Sequence, residues 1–599
     1  MEQRAAARIR FGMMAEMGQP GIKREAAWAA AGSIAFAVVF GFPILRHITE
    51  GDVPQIVGRM DWDLFLELAW VPFHTITQFH QFPLWDPYKC GGMPMLGNPS
   101  SAIITPFMLP VLLFGPVIGL RLSVIAHSAI AFGGAYFLAR VLRISELGAV
   151  ACAGTFAGSS WYFLHAIMGH LNFLPCAYIP WAVALLFLSV ERRRLTPAVL
   201  GGLMVALMLT EGGVYPFLFT CVTLAVLAPA IAVQRRSAFP FLPLLAMAMF
   251  TIGFGATKLL PGLAFTGMHA RLTPPAEAAH ILRFIRLALF HRNQYPRLHF
   301  AGMNTPLFDY GAYLGVIFGA LAFVGLVWRF RDSLMWLILA LVVLSIADGY
   351  FGPYSPWVIL HHLPFFASAR FPERWVIPFT LPAGVMAGLG TDVIRKRSKP
   401  WGARIALLLI AIALIDNWSV STAYLHFVDE GSEPKVEFSA SFRQWRRVGY
   451  WGSFRRMSSA ARANTGVLFC YEPVPPRISD SLRGYDEPGY RGEQYMIGSG
   501  SVKLARWTPN ALSFDVEAPC ATVMAINQNY YRNWRVTAGR GEVVSEDGLL
   551  AVVLPPGRQR IEITYRSTPF LIGLAITLAT FGAMFWLWFY ERRRGSFLP

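Results

Sequence analysis

The acids and bases of this 599-residue chain that could do chemistry are those set where a hydrophobic segment meets water. In HITEGDVPQI, residues 47–56, Glu50 and Asp52 follow an apolar run, 26–45, that holds no charged residue. Partial burial at such a boundary raises a carboxyl pKa toward the range of a general base, which makes Asp52 the first candidate for proton abstraction. The plain alternative is a helix cap, because Asp52 stands just ahead of Pro54 and of a helix expected to run to about residue 80.

Other polar groups stand in equally apolar settings. FPLWDPYKCGGMPMLGNPSS, residues 82–101, is rich in proline and glycine and describes a rigid, non-helical path. Asp86 and Asn98 on that path are candidates to line a pocket, although Asp86 before Pro87 equally suits a turn. In HAIMGHLNFLP, residues 165–175, His165, His170 and Asn172 are candidates to hydrogen-bond a substrate or a neighbouring loop. The two histidines are five apart and so do not share a helical face, which weakens a metal reading. Glu211, in TEGG at 210–213, needs a partner, and Lys258 is the expected one; either is also a candidate to touch substrate.

The cations of HHLPFFASARFPERW, residues 361–375, suit a different partner. Arg370 and Arg374 lie four apart, and two guanidinium groups at the level of lipid headgroups suit a phosphate or diphosphate, which a bidentate fork grips well. The plain alternative is snorkelling toward ordinary headgroups. His269, Arg271, Arg283, Arg286, Arg292 and Arg297 add basic density in the preceding loop.

The elements that must position these groups are membrane helices. Only 15% of the residues are charged, the mean hydropathy is +0.45, and apolar runs of near 20 residues recur. A bilayer core of about 30 Å takes roughly 20 helical residues. Spans are expected near 26–46, 118–141, 146–164, 173–190, 196–211, 214–233, 240–260, 311–328, 333–348, 375–392, 402–421 and 569–590, about twelve in all. Residues 103–119, interrupted by Pro106, Pro110 and Pro116, read as a bent or re-entrant segment.

The formal charge of +17 does not point to nucleic acid, because most basic clusters flank spans: 191–194, 234–236, 329–331, 395–399 and 591–594. With Arg4, Arg8, Arg10, Lys23 and Arg24 ahead of the first span, alternation puts all of these clusters on the cytoplasmic side. Both termini are then cytoplasmic, and loops 47–117, 261–310 and 349–374 lie outside. The division expected is a transmembrane domain over 1–421, an extracytoplasmic β-rich domain over 422–568, a final span at 569–590 and a tail at 591–599. SVKLARW, ALSFDVEA, ATVMAIN, WRVTAG, LLAVVLP and RIEITYR read as strands of a small antiparallel sandwich. Cys470 and Cys520 share the outer compartment, where a disulfide between them is permitted, and Cys90 shares it too. Neither a Rossmann fingerprint nor a P-loop pattern is present, and the inner loops are too short for a nucleotide-sugar domain.

Taken in order, GDVPQ, FPLWDPYKCGGMPMLGNPSSAIITP, GHLNFLPCAYIPW, PFFASARFPERW, NALSFDVEA, NYYRNWRV and VVLPPGRQRIEITY resemble the YfhO-like bacterial membrane proteins and, more broadly, the C-type (GT-C) glycosyltransferase superfamily. Asn533 stands before Trp534 where the family usually has glycine; Asn tolerates the same backbone geometry. The resemblance implies a GT-C-like polytopic helical fold in the bacterial inner membrane. It implies transfer of one sugar from a polyprenyl-phosphate donor to an envelope glycan, lipid or protein acceptor on the outer face.

It further implies an acid of the first outer loop as base, which maps best onto Asp52, with Asp86 the alternative and Asp61 and Asp63 behind them. Arg370 and Arg374 match the role of holding the donor phosphate. A divalent metal, Mg2+ or Mn2+, assists some superfamily members, but no clear ligand set for one stands in this sequence. The competing expectations are a transporter or flippase of lipid-linked saccharides, which would want polar groups spread through the bilayer, and a non-catalytic envelope scaffold.

Overall fold

The computed structural model describes residues 20–46, 61–268, 281–303, 305–363, 365–425, 436, 438–445, 457–468, 470–474 and 476–594. Among these residues ten helices are long and apolar enough to cross a membrane: Glu25–Arg46, Pro116–Val141, Leu171–Arg192, Val214–Arg235, Phe241–Thr266, Leu307–Trp328, Phe330–Ala347, Pro372–Arg397, Gly402–Ser421 and Thr568–Arg593. The chain is a multi-pass helical membrane protein with β-sheets toward its C-terminus.

Ten of the twelve expected spans reach that length, and the other two fall short of it for local reasons. The span expected at 146–164 is broken into Glu146–Ala157 and Ser160–Met168, and Thr196–Thr210 has only 15 residues. At 1.5 Å per residue that helix reaches roughly 22 Å, short of a full hydrocarbon core. The proline-interrupted stretch behaves as expected. Met108–Phe114 is a seven-residue helix that turns at Gly115 (φ 83°) and folds back onto the next span. Gly119 permits that return, because a Cβ there would lie 2.5 Å from Val111 Cα.

Pro372–Arg397 is the hub, with 89% of its apolar window buried, against 11% for the last helix, Thr568–Arg593. Small residues let a neighbour close on the hub: a Cβ on Gly390 would meet the Leu321 carbonyl at 1.9 Å. The last helix is tied to the core at its end. Glu591 accepts from the backbone N–H groups of Leu195 (2.7 Å) and Thr196 (3.2 Å), capping Thr196–Thr210. The basic clusters 191–194 and 591–594 therefore share one end of the bundle.

At the other end stands a β-sandwich of eight strands: β1 (Gln494–Met496), β2 (Ser501–Thr508), β3 (Ala511–Ala518), β4 (Thr522–Asn529), β5 (Trp534–Ala538), β6 (Glu542–Glu546), β7 (Leu549–Leu554) and β8 (Gly557–Tyr565). They form two antiparallel sheets, in orders β6-β7-β4-β1 and β2-β3-β8-β5. The sequence pattern sets the faces. In β3, Leu512, Phe514 and Val516 point inward while Asp515 and Glu517 point to solvent.

The first loop enters this sandwich. Trp85 is fully buried in its core, donates to Gln528 Oε1 at 2.9 Å, and packs on Trp534, Tyr531 and Tyr565. The disulfide follows from that insertion. Cys90 pairs with Cys470 at a Cα separation of 5.0 Å, whereas Cys520 is exposed and unpaired. Of the pairings the shared compartment permits, Cys90–Cys470 forms and Cys470–Cys520 does not. Asn529 in β4 donates to the Cys90 carbonyl at 2.6 Å and holds the loop against the module, while Cys520 lies in the turn between β3 and β4.

Candidate active site

Asp61 begins the site. It immediately precedes the apolar helix Trp62–Thr77 yet makes no capping bond with its side chain. Instead the helix start is pressed onto the turn after Ser160–Met168. The Trp62 indole donates to the carbonyls of Ala166 (2.9 Å) and Ile167 (3.2 Å), and the Asp61 N–H donates to Met168. Gly169 makes the approach possible: it adopts φ 76°, and a Cβ would lie 2.3 Å from Trp62 N.

The carboxylate so placed faces Nε2 of His170 at 3.5 Å, while 19% of the side chain stays open. Burial raises the Asp61 pKa to about 7, with Asp309 and Glu472 pushing the same way and Arg374 and Tyr471 opposing. His170 is driven down to about 3 by burial and by Arg374, so it is a neutral imidazole. Its Nδ1 lies 2.9 Å from Nδ1 of His165, whose ring stacks on Phe173 at 4.0 Å.

Arg374 closes the site. Its Nε and Nη2 donate to Asp309 Oδ1 at 2.7 and 2.6 Å. Its guanidinium lies over Phe173, Tyr215 and Phe371 at 5.2, 4.8 and 4.9 Å from the ring centroids. Phe371 takes φ 54°, a strained geometry for a bulky residue ahead of proline, and so contributes a wall of that aromatic cage. The carboxylate and the rings together fix the plane of the guanidinium, of which 12% of the side chain is exposed.

The other sequence candidates are distributed differently. Asp52 lies outside the described residues, as do His269 and Arg271. Arg370 and Arg374 do not share a helical face. The helix starts only at Pro372, Arg370 is exposed, and it is its backbone N–H that reaches Tyr215 Oη at 2.6 Å. Arg283, Arg286, Arg292 and Arg297 are exposed, and Asp416 holds Arg292. Asn172 is half-buried on the short helix that also carries Phe173.

Asp86 is fully buried and accepts from the Tyr88 N–H at 3.0 Å, the turn role. Beside it, Lys89 bonds Glu67 (2.7 Å) and Glu472 (3.2 Å), and Asn98 donates to Glu472 (2.9 Å). Burial and the Asp86 carboxylate hold Glu67 well above the usual carboxylate range.

The expected Glu211–Lys258 pair is replaced as well. Lys258 donates to the Asn98 carbonyl and to Ser101 Oγ. Glu211 accepts from His127 (2.8 Å), Thr105 (3.0 Å) and Tyr178 (3.0 Å) on the wall of a small apolar cleft lined by Phe65, Leu68, Phe107 and Leu174. Each charge finds its partners on distant segments packed against it, Glu211 on residues 105, 127 and 178 and Lys258 on residues 98 and 101.

Asp63 also has a structural task. It accepts from the N–H groups of Met457 (3.0 Å) and Ser458 (3.1 Å), at the start of the helix Met457–Arg462. Among the described residues no group of three or more His, Cys, Asp and Glu side chains stands together as a metal site would require.

Sequence reasoning named Asp61, His165, His170 and Arg374 separately and did not join them with Asp309 and Tyr215 in one site. The available signal was an acid at the very start of an apolar helix, DWDLFLELAWVPF, with no later partner of its own on that helix face.

No protein-family model matches the chain, and no curated protein matches it. Among solved structures it is similar to the arabinofuranosyltransferase AftD from mycobacteria, with 16% identity over 76% of this chain and 32% of that one, at a TM-score of 0.42. It is similar to the oligosaccharyltransferase of Archaeoglobus fulgidus, with 13% identity over 74% of this chain and 64% of that one, at a TM-score of 0.43. ArnT from Cupriavidus metallidurans, solved with undecaprenyl phosphate, gives 14% identity over 66% of this chain and 75% of that one, at a TM-score of 0.40. The chain therefore spans about a third of AftD and under two thirds of the oligosaccharyltransferase, and likeness this distant assigns no family.

Proposed function

We propose that the chain is a GT-C-type membrane glycosyltransferase. It transfers a monosaccharide from a polyprenyl-phosphate donor to a hydroxyl of an envelope glycan, lipid or protein acceptor on the extracytoplasmic face of the bacterial inner membrane. The observation that carries this reading is the convergence of Asp61 and Arg374 at the sandwich end of the bundle. An accessible carboxylate with a pKa of about 7 stands within electrostatic reach of a caged guanidinium.

The chemistry is a single displacement. Asp61 takes the proton of the acceptor hydroxyl, the oxygen attacks the anomeric carbon, and the bond to the lipid phosphate breaks with its electron pair. Arg374 stabilises the charge that develops on the leaving phosphate. Neutral His170 holds the carboxylate in place without competing for the proton. One displacement inverts the anomeric configuration.

Two features support the orientation. Basic clusters 191–194 and 591–594 gather at one end of the bundle, and the Cys90–Cys470 bridge suits an oxidising compartment at the other. Asp52 remains the second acid of this proposal, nine residues ahead of Asp61.

The test is transfer by purified, lipid-reconstituted protein from a polyprenyl-phosphate sugar to isolated envelope acceptor. Asp61→Asn is expected to lower the rate by about 10²–10⁴-fold, the usual worth of a general base, while Asp52→Asn keeps it within a few-fold. Full transfer by Asp61→Asn would reject Asp61 as the base.

A further inference from the structure

We infer that His165 is a positioning residue for this reaction: its Nδ1–H, donated to Nδ1 of His170, fixes His170 as the tautomer whose Nε2–H faces Asp61. This rests on reading Asp61 as the base.

The contact is built by a helix end. Ser160–Met168 closes at Gly169 in the left-handed conformation, and the His170 N–H reaches back to the His165 carbonyl at 2.9 Å. Such a closure lays the second residue past a helix over the residue five before it. It is why two histidines that share no helical face meet Nδ1 to Nδ1 at 2.9 Å. Packing holds the pair there. His165 is buried with its ring stacked on Phe173 at 4.0 Å, and Phe173 in turn lies under the Arg374 guanidinium. The His170 ring meets Phe308 edge-on at 5.3 Å.

Two ring nitrogens 2.9 Å apart hold one proton between them. A neutral imidazole carries a single N–H, so the owner of that proton decides what His170 shows to Asp61. If His170 owned it, a bare Nε2 would stand 3.5 Å from the carboxylate, lone pair against negative charge, and would compete for the proton of the acceptor hydroxyl. With His165 as donor, His170 Nδ1 accepts, and the Nε2–H turns its positive end to Asp61. Only the second arrangement suits an ionised base. Burial and Arg374 disfavour a charge on either ring, so both act as neutral imidazoles.

The experiment is nitrogen-15 magnetic resonance of the intact, histidine-labelled protein in lipid, about one pH unit above the Asp61 midpoint of about 7. Bare and protonated ring nitrogens give separate signals, and those of His170 are the ones that His170→Gln removes from the thirteen histidines. The wild type is expected to show His170 with a bare Nδ1 and a protonated Nε2. His165→Phe keeps a ring on Phe173 and loses the donor. A second His170 population with Nδ1–H is then expected, and transfer lower by roughly five- to tenfold, the worth of one buried hydrogen bond. His165→Asn can place an N–H where Nδ1 stood, and is expected to restore the single tautomer and transfer within a few-fold of wild type. The wild-type signals alone decide the donor if His165→Phe does not fold. Nδ1–H on His170 in the wild type overturns the inference, as does folded His165→Phe with unchanged signals and full transfer. The tautomer is read without turnover, so the base fails separately. A protonated Nε2 with full transfer by Asp61→Asn would keep His165 as the donor and reject the base.

Discussion

Asp61 and His170 face each other at 3.5 Å across a turn that only a glycine at 169 allows, and the two side chains are shifted in opposite directions. The acid is raised to about 7 and the imidazole lowered to about 3, both chiefly by burial. Each is therefore held toward its neutral form in a site that a sugar hydroxyl has to reach.

This relationship fixes the pH dependence. Transfer needs ionised Asp61, so the rate is expected to fall as pH drops through about 7 and to level off above it. Stability should not follow. Between about 4 and 6.5 the folded chain holds a proton on Asp61 that the unfolded chain releases, which lowers stability as pH rises. Over the same window the unfolded chain holds a proton on His170 that the folded chain lacks, which raises stability as pH rises. The two contributions oppose, so Asp61 and His170 together add little to the pH dependence of the melting temperature while the rate keeps its acid limb; the Asp61→Asn, His170→Gln double variant is expected to keep the wild-type slope of melting temperature against pH.

Arg374 and Asp309 form a buried pair whose partners are not equivalent in function. Arg374→Lys loses the planar fork and the stacking on three rings, and is expected to weaken binding of undecaprenyl phosphate by roughly tenfold or more. Asp309→Asn is expected to destabilise the protein, since breaking a buried pair costs about 3–5 kcal/mol, yet to retain phosphate binding. Titrating each variant with undecaprenyl phosphate and following thermal unfolding separates the two effects.

Trp85 offers a test of the coupling between the loop and the sandwich. Its truncation to alanine removes a fully buried indole from the sandwich core and is expected to cost about 3–5 kcal/mol. The measurement is denaturant unfolding, followed by thiol counting to learn whether Cys90 and Cys470 become free.

Orientation is open to a direct chemical test. Cys520 is exposed and unpaired, while Cys152 and Cys176 are buried and the half-buried Cys221 lies within the apolar helix Val214–Arg235. A membrane-impermeant maleimide added to intact spheroplasts is expected to label Cys520 alone, and Cys520→Ser is expected to abolish the labelling.

The helices were legible because apolar length is a local property. Of the expected spans, only 146–164 and 196–211 were lost from the count, one through a break at 158–159 and one through shortness. The strands of the sandwich were legible for the same reason, since ALSFDVEA and LLAVVLP carry their own patterns.

What the sequence did not reveal are bonds between distant segments. Cys90 meets Cys470 only because Trp85 is inserted into the module, and Asp309 meets Arg374 only through the packing of two spans. Glu211 and Lys258 looked like partners because each lacked a local one. The folded chain instead gives Glu211 to His127, Thr105 and Tyr178, and Lys258 to the backbone of Asn98 and to Ser101. Among the acids, position along the chain favoured Asp52, which lies outside the described residues, whereas the burial and partners of Asp61 are readable only in three dimensions.

The most direct measurement is a structure of the lipid-embedded protein with undecaprenyl phosphate bound. The account predicts the phosphate against the Arg374 guanidinium, with room for one sugar ring between it and Asp61. A headgroup seated away from Arg374, or one cut off from Asp61 by protein, would contradict it.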